Sequence, residues 1–147
     1  MKNLLIVWHS QSGNTAQLME AVRAGAEDHA IEDVTVRCLR APDAGPEDLR
    51  WADGLLFGTP ENFGTMSGLL KDFFDRTFYA VEGELAPLPY ALFISAGNDG
   101  RGAVREIERI ARRVLAAIEK PFILAGQAHF LSASIGVAVA PDDGAAT

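Results

Sequence analysis

Strand-like apolar runs alternate with amphipathic segments along most of the chain. The runs occur at residues 4–8, 34–39, 54–57 and 91–95. Segments with helical spacing of apolar residues separate most of them, and strands that alternate with helices form parallel sheets. The run at 4–8 has no polar position, so both faces of the sheet are expected to be covered. The pattern predicts an α/β fold in three layers.

The helical segments bury one apolar face each. The first is expected over about residues 14–30, and its buried set is Leu18, Met19, Val22 and Ala26. The second is expected over about residues 66–79, and its buried set is Leu69, Leu70, Phe73 and Phe74. A short helix is expected to begin at Pro46, because proline suits the first position of a helix.

A further helix is expected from Ala103 until Pro121, which should end it. Its apolar face consists of Ile107, Ile110, Ala111, Val114 and Ile118. The opposite side carries Arg105, Arg109 and Arg112. Glu106 and Glu108 are interleaved with the arginine run at 101–113, so we interpret the run as a solvated helix face.

Composition and charge narrow the class of protein. A length of 147 residues with 48% hydrophobic residues suits one domain, residues 1–147. The formal charge of -7 and the pI near 4.9 argue against nucleic-acid binding, which needs a basic surface. A single cysteine, Cys38, favours a reducing compartment. The N-terminal apolar run is too short to cross a membrane, and no metal-ligand spacing is present. We expect a cytoplasmic protein without metal, nucleic acid or membrane contacts.

The loop between the first run and the first helix has the sequence His-Ser-Gln-Ser-Gly-Asn-Thr at residues 9–15. It collects hydroxyl and amide side chains and a glycine in front of a helix, whose N-terminal N–H groups and dipole favour an anion. An ordinary strand-to-helix turn uses the same residue types, because Ser, Asn and Thr are common N-caps. The density of donors favours a site for a phosphate monoester.

Two further loops follow the third and fourth runs. The loop at 58–68 combines a proline, an aromatic ring, amide and hydroxyl groups and glycines, which suits the wall of a flat heterocycle. The loop at 95–102 offers backbone N–H groups for the carbonyl oxygens of such a ring. In parallel sheets, ligands bind at the carboxyl ends of the strands, where all three loops lie. The glycine spacing at 97–102 is not the dinucleotide fingerprint, so no Rossmann site is predicted.

Over about residues 1–112 the chain resembles the flavodoxin-like family of FMN proteins, in particular the small NAD(P)H-dependent FMN and quinone reductases. The resemblance rests on the loop at 10–15, on the run at 58–68 followed by Leu-Lys-Asp-Phe-Phe-Asp-Arg at 70–76, and on the loop at 95–102. It implies a doubly wound parallel sheet with the strand order 2-1-3-4-5. It also implies FMN as cofactor, NAD(P)H as electron donor, and a small redox substrate or a redox partner protein.

The resemblance assigns cofactor contacts to three sets of residues and assigns no catalytic side chain. The FMN phosphate would be held by Ser10, Gln11, Ser12, Gly13, Asn14 and Thr15. The isoalloxazine would be lined by Thr59, Pro60, Glu61, Asn62, Phe63 and Gly64. Its other edge would be flanked by Ser95, Ala96, Gly97, Asn98, Asp99 and Gly100. The flavin would carry the chemistry, while the protein would orient and tune the ring.

From about Arg113 the chain departs from that family and resembles the later part of a GGDEF domain without its signature loop. We expect residues 113–147 to complete the sheet with a β-hairpin in place of the usual last strand and helix. The hairpin would consist of a strand at 122–125, a turn near 126–127 and a long strand at about 129–140. This departure suggests a chimera, and an uncovered apolar edge or face would favour a homodimer.

Three functions are compatible with these features. The first is NAD(P)H-dependent reduction of a quinone or a flavin through bound FMN. The second is a flavodoxin-type electron carrier, whose acidic balance suits docking on a basic partner. The third is a recombined or designed scaffold that has lost FMN binding. Turnover of NAD(P)H separates the first two, and a protein that stays colourless with FMN would support the third.

Overall fold

The computed structural model describes residues 1–86, 88–114, 122–124 and 127–129. It contains all four strand-like runs and all four helices that the sequence predicts. In chain order the elements are β1 (Lys2–Trp8), α1 (Asn14–Ala26), β2 (Val34–Arg40), α2 (Pro46–Trp51), β3 (Gly54–Asn62), β4 (Thr65–Met66), α3 (Gly68–Val81), β5 (Tyr90–Ser95), α4 (Arg101–Val114), β6 (Phe122–Leu124) and β7 (Gln127–His129).

The four parallel strands lie in the order β2-β1-β3-β5. This order confirms the first four positions of the predicted doubly wound sheet. Trp8 lies beside Gly58, and Pro60 lies beside Ser95. The carboxyl ends of β1, β3 and β5 therefore meet at one edge, which brings the three predicted loops together.

Helices cover both faces of this sheet, which confirms the three-layer architecture. On one face, Met19 of α1 packs against Ile6 and Phe93. On the other face, α2, α3 and α4 enclose a larger apolar core. Phe57 and Phe74 form the closest pair of its aromatic cluster, with ring centroids 5.1 Å apart. Removal of apolar side chains from water on both faces supplies the main driving force for this arrangement.

Strand β3 is longer than the sequence predicts. It was expected to end at Phe57, but it continues to Asn62, turns at Phe63 and Gly64, and pairs antiparallel with β4. The predicted loop at 58–68 is therefore mostly a β-hairpin, and β3 and β4 beyond Thr59 form what we call the site hairpin. The strand continues because β5 runs beside it and supplies partners for its backbone groups.

Two helices differ in detail from the prediction. Helix α1 ends at Ala26, and the Asp28 carboxylate accepts the Ala30 N–H at 2.8 Å, a local bond that competes with a longer helix. Leu69 of α3, predicted to be buried, is 40% exposed. The buried face of α3 comprises Leu70, Phe73, Phe74, Thr77 and Val81. Each helical residue turns about 100° around the axis, so Leu69 lies beside this face and not on it.

The C-terminal part is described only in short pieces. Helix α4 is described to Val114, and its predicted continuation to Pro121 lies outside the described residues. Strands β6 and β7 pair antiparallel, as predicted for the hairpin, and β7 begins at Gln127 and not near His129. The remainder of that strand also lies outside the described residues, and completion of the parallel sheet by this segment stays a prediction. None of the described helices is long and apolar enough to cross a membrane.

Candidate functional site

The loop after β1 has a backbone suited to an anion. Gly13 has a φ of 103°, a left-handed conformation that favours glycine, and α1 begins at the next residue. The Gly13 N–H donates a hydrogen bond of 3.1 Å to the Ser10 hydroxyl, which closes the loop. No described side chain caps the N-terminus of α1, and the first turn contains no acidic residue. The positive end of the helix therefore lacks a side-chain acceptor.

Thr15 supplies a buried hydroxyl to this loop. It is 1% exposed, and its Oγ1 has no hydrogen-bond partner among the described residues. A buried unsatisfied hydroxyl costs about 1–3 kcal/mol, so such groups are normally paired with protein, water or ligand. Ser12 and Asn14 on the same loop are exposed. The loop therefore offers hydroxyl and backbone donors at a helix end without a side-chain cap, a donor set that fits a phosphate although the loop itself contains no Lys or Arg.

His9 lies at the beginning of the same loop and is half-buried. Its backbone N–H donates to the Gly58 carbonyl at 3.0 Å, which ties the end of β1 to β3. Its Nδ1 is buried and has no partner in the described part of the chain. Burial, followed by the positive charge of Arg40, lowers the pKa of His9 below 6.5. Both effects favour the neutral imidazole.

The site hairpin stands at the same edge of the sheet. Phe63 and Gly64 at its turn have φ values of 51° and 74°, as in a type I′ turn. Phe63 is fully exposed, at 107% of the reference area. Large residues rarely adopt a positive φ, and here the paired strands on either side of the turn hold the conformation. The hairpin thus presents an aromatic ring on a constrained turn.

Thr59 anchors the base of the hairpin. It is fully buried, and its hydroxyl donates to the Pro60 carbonyl at 2.8 Å while it accepts the Ser67 N–H at 2.9 Å. The resemblance places Thr59 among the residues that line the isoalloxazine. In the structure its hydroxyl already bonds to two backbone groups of the protein, so this side chain shapes the hairpin.

Glu61 connects the hairpin to α4. Its carboxylate accepts the Ala103 N–H at 3.1 Å, in the first turn of the helix. A negative charge is favourable there because of the helix dipole. Gly102 also lies against the turn, since a Cβ at this position would be 1.8 Å from the Gly64 oxygen. The turn and the helix N-terminus are therefore fitted to each other, a contact that no local sequence signal indicates.

Side chains also join the first loop to the hairpin. The Asn62 Nδ2 donates to the Gln11 Oε1 at 2.8 Å. The structure thus brings the first two predicted sets of site residues into direct contact, and α4 connects the second set to the third.

The residues of the third predicted loop differ in exposure to solvent. Gly97, Asn98 and Asp99 are exposed, whereas Gly100 is buried and has a φ of 69°. The Asp99 carboxylate accepts the Arg101 N–H at 3.1 Å, which shapes the entry into α4. The exposed part therefore remains accessible to a ligand at the carboxyl edge of β5.

The segment at 70–76, which contributes to the resemblance, has a packing role. Phe73 and Phe74 belong to the core, as predicted. Arg76 donates to the backbone oxygens of Ala41 at 2.9 Å and Ala44 at 3.1 Å, and it thereby holds the segment after β2 against α3. These contacts give the segment a structural role in the packing of α3.

A doubly wound parallel sheet with an uncapped helix after β1 and two further loops at the same edge defines a flavodoxin-like protein. The family model of NADPH-dependent FMN reductase matches residues 4–130. The chain belongs to this family of flavodoxin-like FMN oxidoreductases.

Individual relatives agree with this assignment. A flavodoxin of Aquifex aeolicus is 35% identical over a match that covers 69% of this chain and 54% of that protein. An NAD(P)H dehydrogenase (quinone) of Acidithiobacillus ferrooxidans is 32% identical, with 69% and 60% covered. The chain thus spans little more than half of the length of these relatives. A flavodoxin from the domain Archaea has a TM-score of 0.64 at 26% identity, with 76% and 74% covered.

The family match continues to residue 130, beyond the predicted junction near Arg113. The resemblance of the last segment to a GGDEF domain, and with it the chimera, stays a hypothesis.

Proposed function

We propose that the chain binds FMN at the carboxyl edge of its sheet and passes electrons from NAD(P)H to a quinone or to another flavin. The observation that carries this proposal is the buried Thr15 hydroxyl, which has no hydrogen-bond partner in the described part of the chain and lies at a helix end without a side-chain cap. The family and the named NAD(P)H dehydrogenase (quinone) relative support the choice of donor and acceptor.

The first loop would hold the phosphate of FMN. Gly13 provides a left-handed backbone, and the N–H groups of the first turn of α1 point out of the helix toward the loop. Thr15 would donate from the buried side, while Ser10 is positioned by its bond with the Gly13 N–H. The resemblance adds Gln11, Ser12 and Asn14. Binding without Lys or Arg relies on N–H and O–H donors and on the helix dipole.

The site hairpin and the third loop would hold the ring. The predicted set on the hairpin is Thr59, Pro60, Glu61, Asn62, Phe63 and Gly64, and the predicted set on the third loop is Ser95, Ala96, Gly97, Asn98, Asp99 and Gly100. Thr59 would act indirectly, because its hydroxyl accepts the Ser67 N–H and so stabilises the base of the hairpin. Bonds from Glu61 to α4 and from Asn62 to Gln11 keep the hairpin in one position, and such preorganisation lowers the cost of binding.

FMN, when bound, accepts a hydride and passes the electrons on. The residues of this chain would bind and orient it, and backbone N–H groups would favour negative charge on its reduced form. The Glu61 carboxylate would otherwise oppose that charge. Its bond with the Ala103 N–H directs it to the positive end of α4 and weakens this opposition.

A flavodoxin-type electron carrier is the second candidate. The exposed Phe63 at the tip of the site hairpin favours it, because an aromatic side chain on a constrained turn is suited to contact a partner protein. The flavodoxin relatives support the same candidate. A cytoplasmic location and a homodimer are further parts of the proposal that rest on the sequence.

Titration of the purified apoprotein with FMN, and in parallel with riboflavin, tests this function. Tight binding of FMN with much weaker binding of riboflavin is expected, because riboflavin lacks the phosphate. Anaerobic addition of NADH or NADPH to the saturated protein then separates the two candidates. Bleaching of the flavin absorbance by either nucleotide supports the reductase, whereas binding without bleaching supports the carrier. Absence of FMN binding contradicts both and favours the scaffold hypothesis.

A further inference from the structure

Positive charge is concentrated on one helix of an acidic protein. The chain has a formal charge of -7, with 13 Lys and Arg residues in all. Helix α4 alone contains five of them, all arginines, against two glutamates. The helix is therefore basic although the protein that carries it is acidic.

The arginines of α4 lie together on its outer side. The buried side consists of Ala103, Ile107 and Ala111, which pack in the core. The exposed residues are Arg101, Arg105, Arg109, Arg112 and Arg113. Their spacing places them on the side opposite to the buried residues, since three to four residues complete one helical turn. We call these five residues the arginine face.

Most of this charge is not neutralised within the described part of the chain. Arg101 lies 3.6 Å from the Asp99 carboxylate, and Arg109 lies 2.8 Å from that of Glu106. Arg105, Arg112 and Arg113 form no ion pair with any described residue. Exposed single ion pairs contribute little to stability, so folding by itself does not account for a basic stripe on an acidic protein.

The arginine face begins at the candidate site. Arg101 directly follows the third loop, and the next residue, Gly102, packs against the turn of the site hairpin. Phe63, fully exposed, lies beside Gly64 on that turn. An apolar anchor and a stripe of positive charge thus meet at the N-terminal end of α4. Interfaces commonly combine an aromatic anchor with charges that steer association.

We propose that Phe63 and the arginine face of α4 form a docking surface for an acidic redox protein that exchanges electrons with the flavin. This inference rests on the proposed function. An acidic partner fits because its charge complements the stripe. The overall charge of -7 opposes every acidic partner, so the attraction is local to the stripe and depends on salt concentration. The contact of Gly102 with the hairpin turn places the stripe beside the candidate flavin site, which favours a redox protein over nucleic acid. Bound FMN would supply the electron that reduces the oxidised centre of the partner, with the accompanying proton released to solvent, while Phe63 and the arginine face would hold the partner beside the site. This acidic partner is opposite in charge to the basic partner that the overall composition suggests.

The test uses the full chain and an acidic [2Fe–2S] ferredoxin as the probe, with basic cytochrome c as the opposite probe. Binding is measured by calorimetry at about 20 mM and about 200 mM salt, because exposed charges are weakly screened only at the lower concentration. We expect the chain to bind ferredoxin at the lower salt concentration, with at least tenfold weaker binding at the higher one. Cytochrome c binding that exceeds ferredoxin binding would overturn the proposal.

Two matched variants locate the surface. R105Q/R112Q removes two arginines that have no ion pair among the described residues, whereas K2Q/R23Q removes the same charge from elsewhere. Ferredoxin affinity at low salt is expected to fall about tenfold in R105Q/R112Q and less than about twofold in K2Q/R23Q. Phe63→Ser should weaken binding at both salt concentrations. Equal loss in the two charge variants would overturn the proposal, because net charge alone would then explain binding.

Other occupants give different results. Sedimentation of the chain alone detects a second copy, and binding of a single-stranded RNA oligonucleotide detects nucleic acid. The proposal is overturned if ferredoxin does not bind the parent chain and if R105Q/R112Q abolishes self-association or RNA binding instead. FMN titration of the same samples separates the two levels of inference. If the parent chain binds FMN but not ferredoxin, only the proposal of a docking surface is contradicted. If the parent chain does not bind FMN, the proposed function is contradicted.

Discussion

The side-chain amide of Asn62 donates a hydrogen bond of 2.8 Å to the side-chain oxygen of Gln11. Asn62 ends β3 at the tip of the sheet edge, and Gln11 lies in the loop that would receive the phosphate. The bond therefore connects the two parts of the candidate site that are proposed to hold opposite ends of FMN. Movement of the hairpin relative to the first loop would have to break it.

This contact predicts a coupling between the two residues. Asn62→Ala and Gln11→Ala should each lower the free energy of unfolding of the apoprotein by about 0.5 kcal/mol, a modest loss because the bond is exposed. The double variant should lose no more than the larger single loss, since one bond is removed in each case. Urea unfolding of the four proteins measures the cycle. Strictly additive losses would show that the two side chains do not interact in solution.

Thr15→Val should have opposite effects on stability and on cofactor binding. The substitution removes a buried hydroxyl without a described partner, so the free energy of unfolding of the apoprotein should rise by about 1 kcal/mol. FMN affinity should fall about tenfold, while riboflavin affinity should stay the same, because only the phosphate contact is lost.

Thr77→Val is the matched control for Thr15→Val. Thr77 is also buried in a helix, but its hydroxyl donates to the Phe73 carbonyl at 2.7 Å. This variant should lower the free energy of unfolding by about 1 kcal/mol and leave FMN affinity unchanged. If both valine variants changed stability in the same direction, the unsatisfied state of the Thr15 hydroxyl would be refuted.

Gly58→Ala should disrupt the sheet beneath the site. A Cβ at residue 58 would lie 2.1 Å from the Phe93 ring, which is itself buried. A loss of about 2–3 kcal/mol in the free energy of unfolding is expected from this overpacking. Gly25→Ala in α1, where a Cβ meets no atom within 4 Å, should instead raise stability by about 0.5–1 kcal/mol. Phe93→Leu should recover part of the loss at residue 58, and no recovery would speak against the clash.

Glu61→Gln should weaken the attachment of the hairpin to α4. The amide oxygen can still accept the Ala103 N–H, but the charge that favours the helix N-terminus is lost. The free energy of unfolding should fall by about 0.5–1 kcal/mol, and amide exchange at residue 103 should become faster. Glu32→Gln, at an exposed position between α1 and β2 and without an ion pair among the described residues, is the control and should change neither quantity. Slower exchange at residue 103 in Glu61→Gln would contradict the capping role.

Stability should also depend on pH through His9. Burial and Arg40 lower its pKa in the folded protein below 6.5, so the unfolded chain binds more protons in this range. The contribution of His9 to stability is fully present above pH 6.5 and is lost as pH falls through the folded pKa. His9→Gln should therefore flatten the stability curve between about pH 7 and pH 5. An unchanged slope in His9→Gln would exclude this origin.

The strands, the helices and the edge at which the loops meet followed from the sequence alone. Apolar runs and helical spacing are local properties, and they decide which segments become strands or helices and which faces are buried. Parallel strands then place their carboxyl ends at one edge, which located the loops after β1, β3 and β5. The expectation of a phosphate at residues 10–15 also came from the sequence, because these residues are donors in front of a helix.

Only the tertiary structure decided how those loops are built. Gln11 and Asn62 are separated by 51 residues, and Glu61 and Ala103 by 42 residues, and no local pattern indicates such pairs. The site hairpin, the left-handed Phe63 and the solvent-facing Leu69 also depend on neighbours that are distant in sequence. Thr59 and Thr15 are equally buried, and the neighbouring backbone decides that the Thr59 hydroxyl has partners while the Thr15 hydroxyl has none among the described residues. These features arise from packing between residues that are distant in sequence and that come into contact only when the chain folds.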